Sequence, residues 1–207
     1  MEEDNTEYTQ DSSVDSEQEN FSESFEEEIE INRDVKQTIT ELLEIRGFIV
    51  EVDLFIDENI KQIIGYNLQT DERLYILFAT EPNTKLNVEL INRYISYITE
   101  KGMSHSIIVH LSKTVNVNIK NIVQNFQVLK NYIIEFLHND DLRYNITKRV
   151  PVHEKISGEE YEEVKKYARY LPLLLTTDAV SRFQGFRKGD IVKIYRKDET
   201  VIYRIVI

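Results

Sequence analysis

Residues 178–204 read Asp178-Ala-Val-Ser-Arg182-Phe-Gln-Gly185-Phe-Arg187-Lys188-Gly189-Asp-Ile-Val-Lys193-Ile-Tyr-Arg196-Lys-Asp-Glu199-Thr200-Val-Ile-Tyr203-Arg204. Asp178 is of the type that caps a helix start, and it predicts one helical turn through Phe183. Gly185 and Gly189 punctuate a turn. Asp190–Tyr195 and Val201–Ile207 predict an antiparallel pair around a tip at Arg196–Thr200. The stretch therefore predicts a small β-containing unit at the C-terminal end.

Working upstream, Pro151 opens this second unit. Ser157 and Glu160 have capping-box spacing and predict a helix reaching about Tyr170. Leu173–Leu175 reads as a short apolar link. Before Pro151 the pattern changes. Val35, Ile39, Leu42 and Leu43 follow i, i+4, i+7, i+8 and predict a helix over about Asp34–Arg46, ended by Gly47. Phe48–Ile56, Ile60–Tyr66 and Arg73–Ala79 read as strands, and Thr80–Thr84 as a loop. The face Leu90, Ile91, Tyr94, Ile95, Ile98 predicts a helix from Val88 to Lys101. Ser106–Leu111 is a nearly all-apolar run, the mark of a strand covered on both faces. A polar loop, Ser112–Asn116, leads to a helix near Asn118–Gln127. Tyr132–Leu137 and Leu142–Ile146 then read as strands around a turn at His138–Asp141. Strands alternating with helices argue for a mixed α/β (α+β) domain. The expected organisation is a tail over 1–30, an α/β domain over 31–148 and a β-containing domain over 149–207.

The net charge of −12 over 207 residues conceals a division. Of the 37 Asp and Glu, 13 lie within residues 1–30, where there is no Lys or Arg. That leaves 24 acidic against 25 basic residues in 31–207. The body is near neutral, so contact with DNA is not opposed by its charge. The tail is too polar to offset its ordering entropy and is expected to be disordered, as a solubilising segment or as a docking segment through Phe21 and Phe25. Its composition matches neither a secretory nor a mitochondrial leader. No apolar run approaches 18 residues, so no membrane span is expected. Cysteine is absent, which excludes disulfides, Cys-ligated zinc and a Cys nucleophile.

No phosphate loop or dinucleotide fingerprint is present. His105 and His110 lie five apart in a predicted strand, so they face opposite sides and share no metal. Glu51, Asp53 and Asp57 lie on or near one strand, as metal-dependent nucleases place carboxylates. Their expected partner, an acid, a spacer and a Lys, is missing: Asn59-Ile60-Lys61 lacks the acid. No catalytic residue, metal or cofactor is expected.

Between Arg182 and Arg204, seven basic residues (Arg182, Arg187, Lys188, Lys193, Arg196, Lys197 and Arg204) stand against three acidic ones. Charge alone allows a solvated face, a DNA contact or docking on an acidic protein surface. The order of residues says more. Asp178-Ala-Val, Arg182-Phe, Gly185, Arg187-Lys188-Gly189, Ile191-Val-Lys193-Ile194, Arg196 with Glu199-Thr200, and Tyr203-Arg204 resemble the C-terminal core of the fifth subunit of eukaryotic-type DNA-directed RNA polymerases and of its archaeal counterpart. That family shows Asp-Pro-Val, Arg-Tyr, Gly, Lys-Arg-Gly, Val-Val-Lys-Ile, Arg-x-Ser-Glu-Thr and Tyr-Arg. Asn145-Ile-Thr147 and Val150-Pro151-Val-His153 resemble its Asn-Ile-Thr and Val-Pro-x-His. Arg46-Gly47-Phe48, and the pattern of Tyr75–Leu111 with Glu81-Pro82, follow in the same order upstream.

The resemblance implies a nuclease-like jaw domain without nuclease residues, followed by a domain that assembles on the largest polymerase subunit. It implies docking or motif roles for Pro151, His153, Asp178, Arg182, Gly185, Arg187, Lys188, Gly189, Lys193, Arg196, Glu199, Thr200, Tyr203 and Arg204. It places the loop holding Lys113 and Thr114 toward downstream duplex DNA, through contacts without sequence information. It implies an intracellular protein, in the nucleus or a cytoplasmic viral factory and open to packaging in a virion. The sequence departs from the family at Ala179 and Asp198 and in a shorter hairpin. This compact form resembles the version from a large DNA virus. The alternative is a free-standing DNA- or protein-binding adaptor of the same fold.

Overall fold

The computed structural model describes residues 33–58, 60–78 and 86–207. The tail with Phe21 and Phe25, Asn59, Ala79 and the Thr80–Thr84 loop with Glu81-Pro82 lie outside the described residues.

The helix α1 spans Arg33–Ile45. Its predicted stripe, Val35, Ile39, Leu42 and Leu43, is fully buried. Its end is closed by Gly47 N–H to the Glu44 carbonyl and Phe48 N–H to the Leu43 carbonyl. Five strands follow: β1 (Ile49–Asp57), β2 (Ile60–Asn67), β3 (Glu72–Phe78), β4 (His105–His110) and β5 (Ile133–His138). They lie in chain order, antiparallel from β1 to β3 and parallel from β3 to β5. The parallel connections are α2 (Val88–Glu100) and α3 (Val117–Lys130). Asn87 and Asn116 cap them, their side-chain oxygens accepting from Leu90 and Asn118 N–H. Ile91, Tyr94, Ile98, Ile119 and Val123 from these helices meet Leu77, Ile108 and Ile134 of the sheet. Helix α1 approaches β2 so closely that a Cβ on Gly65 would lie 2.5 Å from Leu43 Cδ2.

The predicted strand Leu142–Ile146 is instead two short 3-10 turns, Asn139–Leu142 and Ile146–Lys148. Polar capping decides this. His138 Nδ1 accepts from Asp140 N–H, and Asn145 Oδ1 accepts from Thr147 N–H. These side chains give the backbone local partners in place of a ladder.

The second sheet holds β6 (Val152–Lys155), β7 (Leu173–Leu174), β8 (Ile191–Tyr195) and β9 (Val201–Val206), in the order β6-β8-β9-β7. The β8–β9 pair matches the expected hairpin, with Lys193 opposite Tyr203. The sequence reading misses β6, and its apolar link Leu173–Leu175 contains β7, parallel to β9. The expected helix to Tyr170 is also shorter: α4 covers Gly158–Lys165, and a 3-10 turn follows at Ala168–Tyr170. Ser157 makes no cap bond. The Glu160 carboxylate accepts from Lys193 Nζ and Tyr203 OH, both at 2.8 Å, so it serves the sheet rather than a capping box. Helix α5 (Ala179–Gln184) is capped by Asp178, whose carboxylate accepts from Val180 N–H at 2.9 Å.

Residues Arg33–Ile207 form one compact unit. The two sheets are tied by buried polar contacts. The Arg46 guanidinium, 5% exposed, donates two bonds to the Glu135 carboxylate at 2.9 and 3.0 Å. It also donates to the carbonyls of Phe183 (3.0 Å) and Arg182 (2.6 Å) on α5. His105 Nε2 lies 2.7 Å from the same carboxylate. Arg182 in turn pairs with Asp141 at 2.7 Å.

Candidate docking groove

One face of the second sheet carries a groove of about 440 Å³. Its apolar floor is formed by Ile146, Val150, Leu174, Val180, Ile194 and Ile202, which pack on or within the small core. Pro151, His153, Asp178, Arg196 and Arg204 also line it. Arg204 Nη1 donates to the Leu173 carbonyl at 3.1 Å, which holds β7 in place. His153 Nδ1 lies 2.6 Å from the Pro151 carbonyl, so the imidazole is fixed to its own turn. Arg196 makes no ion pair within 4 Å among the described residues. An apolar floor with guanidinium groups beside it suits a partner segment that offers apolar anchors and carboxylates.

The other residues singled out in the sequence are not gathered here. Lys193 and Tyr203 face the opposite side of the sheet, where Glu160 joins them. The neighbouring carboxylate raises the Lys193 pKa, and Glu160 is lowered by the same bond. Their part is to hold α4 on the sheet. Arg182 and Gly185 belong to the joint between the sheets. Arg187, Lys188 and Gly189 form the exposed turn before β8, where Arg187 N–H donates to Asp190. Glu199 and Thr200 shape the hairpin tip, with Asp198 Oδ1 accepting from Thr200 N–H and Oγ1. The seven cations are thus dispersed over α5, the turn before β8, the two faces of the sheet and the hairpin tip rather than forming one basic patch.

The β1 carboxylates are dispersed as well. Glu51 pairs with Arg73 at 2.7 Å, Asp53 with Lys36 at 2.8 Å and Asp57 with Lys101 at 3.0 Å. Each is lowered chiefly by its own cation. Among the described residues no group of three or more His, Asp or Glu is placed to hold a metal, and no helix is long and apolar enough to cross a membrane. Lys113 and Thr114 are exposed in the loop between β4 and α3. Beside them Ser112 is buried, its hydroxyl accepting from Leu86 N–H at 2.7 Å.

Residues 144–206, which contain the whole groove, match the family described as RNA polymerase Rpb5, C-terminal domain. Over this segment the chain is similar to Rpb5. Its similarity extends upstream of the matched segment. It is 26% identical over 198 residues to subunit rpabc1 of DNA-directed RNA polymerases I, II and III of Dictyostelium discoideum, covering 86% of this chain and 99% of that protein. It is 27% identical over 157 residues to subunit RPABC1 of Caenorhabditis briggsae, covering 70% of this chain and 71% of the relative. A candidate DNA-directed RNA polymerase subunit, 454R of Invertebrate iridescent virus 6, is 34% identical over 88 residues, 35% of this chain and 48% of the relative.

Two of the departures, at Ala179 and Asp198, have simple structural readings. Ala179 is the first residue of α5, a position that Pro fills well because its missing N–H has no intrahelical partner. Ala fits there too. Asp198 keeps an oxygen acceptor for Thr200 where the family pattern has Ser. Two elements of the site escaped the sequence reading. The groove floor did, because its residues come from five separate segments. The Arg46–Glu135–His105 cluster did also; its one sequence signal was Arg46 in the Arg-Gly-aromatic motif.

Proposed function

We propose that this chain is an Rpb5-type, non-catalytic subunit of a multisubunit DNA-directed RNA polymerase. The second sheet docks on the largest subunit through the groove. The first sheet forms part of a jaw beside downstream duplex DNA. One observation carries the reading: Pro151, His153, Asp178, Arg196 and Arg204, from four separated motif segments, line one groove. Asp178 and Arg204 also serve the fold, capping α5 and holding β7, but Arg196 makes no ion pair among the described residues and is open to a partner.

Co-expression with the largest subunit and its affinity capture tests the docking. Arg196→Glu should weaken recovery by roughly tenfold or more, as for a central charged anchor. Lys197→Glu, in the same exposed hairpin, should change it by less than about threefold. Equal recovery of Arg196→Glu and the parent chain would remove the groove from the interface. Recovery of the chain from native cells without large polymerase subunits would favour a free-standing adaptor instead.

The exposed loop with Lys113 supports a phosphate contact on the DNA side. Lys113→Glu should weaken retention of downstream DNA and lower the slope of log affinity against log salt by about 1. An unchanged slope across a salt series excludes this contact.

A further inference from the structure

We infer that His110 and His138 form a proton-sensitive joint: protonation unseats the Asn139–Leu142 turn and, with it, the Asp141–Arg182 tie between the two sheets.

The two residues are register partners at the carboxyl ends of the parallel strands β4 and β5. Their rings meet edge to face, 5.6 Å between centroids and 82° between planes. His110 is buried, and its Nδ1 has no hydrogen-bond partner among the described residues. The same holds for His138 Nε2. The other nitrogen of His138 has a defined task. Its Nδ1 accepts the Asp140 N–H at 3.1 Å and so caps the turn Asn139–Leu142. An acceptor nitrogen carries no proton. Once protonated it becomes a second donor aimed at a donor, and the cap is lost.

The surroundings offer little compensation. From the turn itself, Asp140 Oδ2 lies 3.6 Å from His138 Nδ1, beyond hydrogen-bond distance, while its Oδ1 pairs with Arg143 at 2.9 Å. From β5, Phe136 presents its ring to His110 at 6.1 Å. Burial, followed by the neighbouring His138 and then Arg182 of α5, disfavours the charged form of His110. The Ser112 backbone and Asp141 oppose this without overcoming it, so its pKa lies below the usual value. An unfolded imidazole titrates near about 6.5. Because the folded pKa of His110 is lower, the opened state binds the proton first. Stability is therefore complete above about pH 6.5 and falls as the pH drops below it. The Asn139–Leu142 turn is where this loss is felt, because it carries both Asp141 and the buried Leu142.

Hydrogen exchange of the full chain at pH 7.5 and 5.5, corrected for intrinsic rates, tests the joint. Peptides covering 136–146 and 179–185 should lose protection at the lower pH. The loss should approach but not exceed about tenfold per pH unit for each proton bound. Peptides covering β2 and β3 should not follow. His138→Asn keeps an oxygen acceptor for the cap and takes away the ring whose charge disfavours protonated His110, so it should reduce the response. His110→Phe gives an independent check: with no titrating ring there, protection at pH 5.5 should move toward its value at pH 7.5. A response of equal size in all strands, or one left intact in both variants, overturns the proposal.

Discussion

Arg46→Ala is expected to lower the stability of the chain by about 3–5 kcal/mol, the cost of breaking a buried pair by deleting one partner. The guanidinium is almost fully enclosed and donates to three groups: the Glu135 carboxylate and the carbonyls of Arg182 and Phe183. Its removal leaves all three without it. Burial works against ionisation of Glu135. The Arg46 charge, then the bonds from His105 and Arg46, outweigh it and hold the carboxyl down to about 2. A free Glu titrates near about 4.3, so the folded pKa is depressed. The associated stability is present above about pH 4.3 and is lost as the pH falls toward 2. Arg46→Lys should recover little, because a single ammonium cannot reproduce a planar fork that reaches a carboxylate and two carbonyls. Urea titrations followed by circular dichroism at pH 7 and pH 3 measure both effects. The loss caused by Arg46→Ala should be much larger at pH 7. A loss under about 1 kcal/mol at pH 7 would show that the cluster does not hold the sheets together.

Gly185→Ala is the second large effect, and it acts on the same atoms from the other side. Gly185 has φ +72°, a left-handed conformation that already costs a non-glycine residue about 1 kcal/mol. A Cβ there would also lie 2.8 Å from Arg46 Cζ and 3.0 Å from its Nη1. The guanidinium is fixed by its acceptors and cannot swing away without breaking them. A total loss of about 3 kcal/mol or more follows from strain plus the disturbed pair. Gly189 supplies the comparison. Its φ is +93°, but a Cβ would meet nothing within 4 Å among the described residues. Gly189→Ala should therefore cost only the backbone strain, about 1 kcal/mol. Equal losses at both glycines, measured by the same urea titration, would refute the steric contribution. In the double variant Arg46→Ala/Gly185→Ala the two losses should fall well short of additive, because they act through one cluster.

This coupling shows why part of the site was not legible. The Arg-Gly-aromatic motif at Arg46 and the glycine of the C-terminal motif at Gly185 read as two separate signals. In the fold they are one packing solution, made where the C-terminal end of α1 meets α5. A similar limit applies to Lys193 and Arg196. Both are cations in one basic run. Strand alternation turns Lys193 toward Glu160 and α4, whereas Arg196 lies past the strand end beside the groove. The strand β7 has two residues, and its partner β9 lies about thirty positions away, so no local period announces it. The expected strand at Leu142–Ile146 failed for a related reason. Its apolar residues suggested a ladder, while His138 and Asn145 offered the backbone nearer partners.

By itself the sequence determined the long helices α1 and α2, most of the first sheet, the β8–β9 hairpin, the division of charge between tail and body, and the ordered motifs that mark an Rpb5-type C-terminal domain. These follow from periodicity, turn residues and residue order, which are local and can be read along the chain. The tertiary structure alone decided which signature residues share the groove, which of them only brace the sheet, and that Arg46, Glu135 and Gly185 form a single joint. Those outcomes depend on contacts between residues up to 139 positions apart, set by strand register and helix approach, and local patterns carry no record of either.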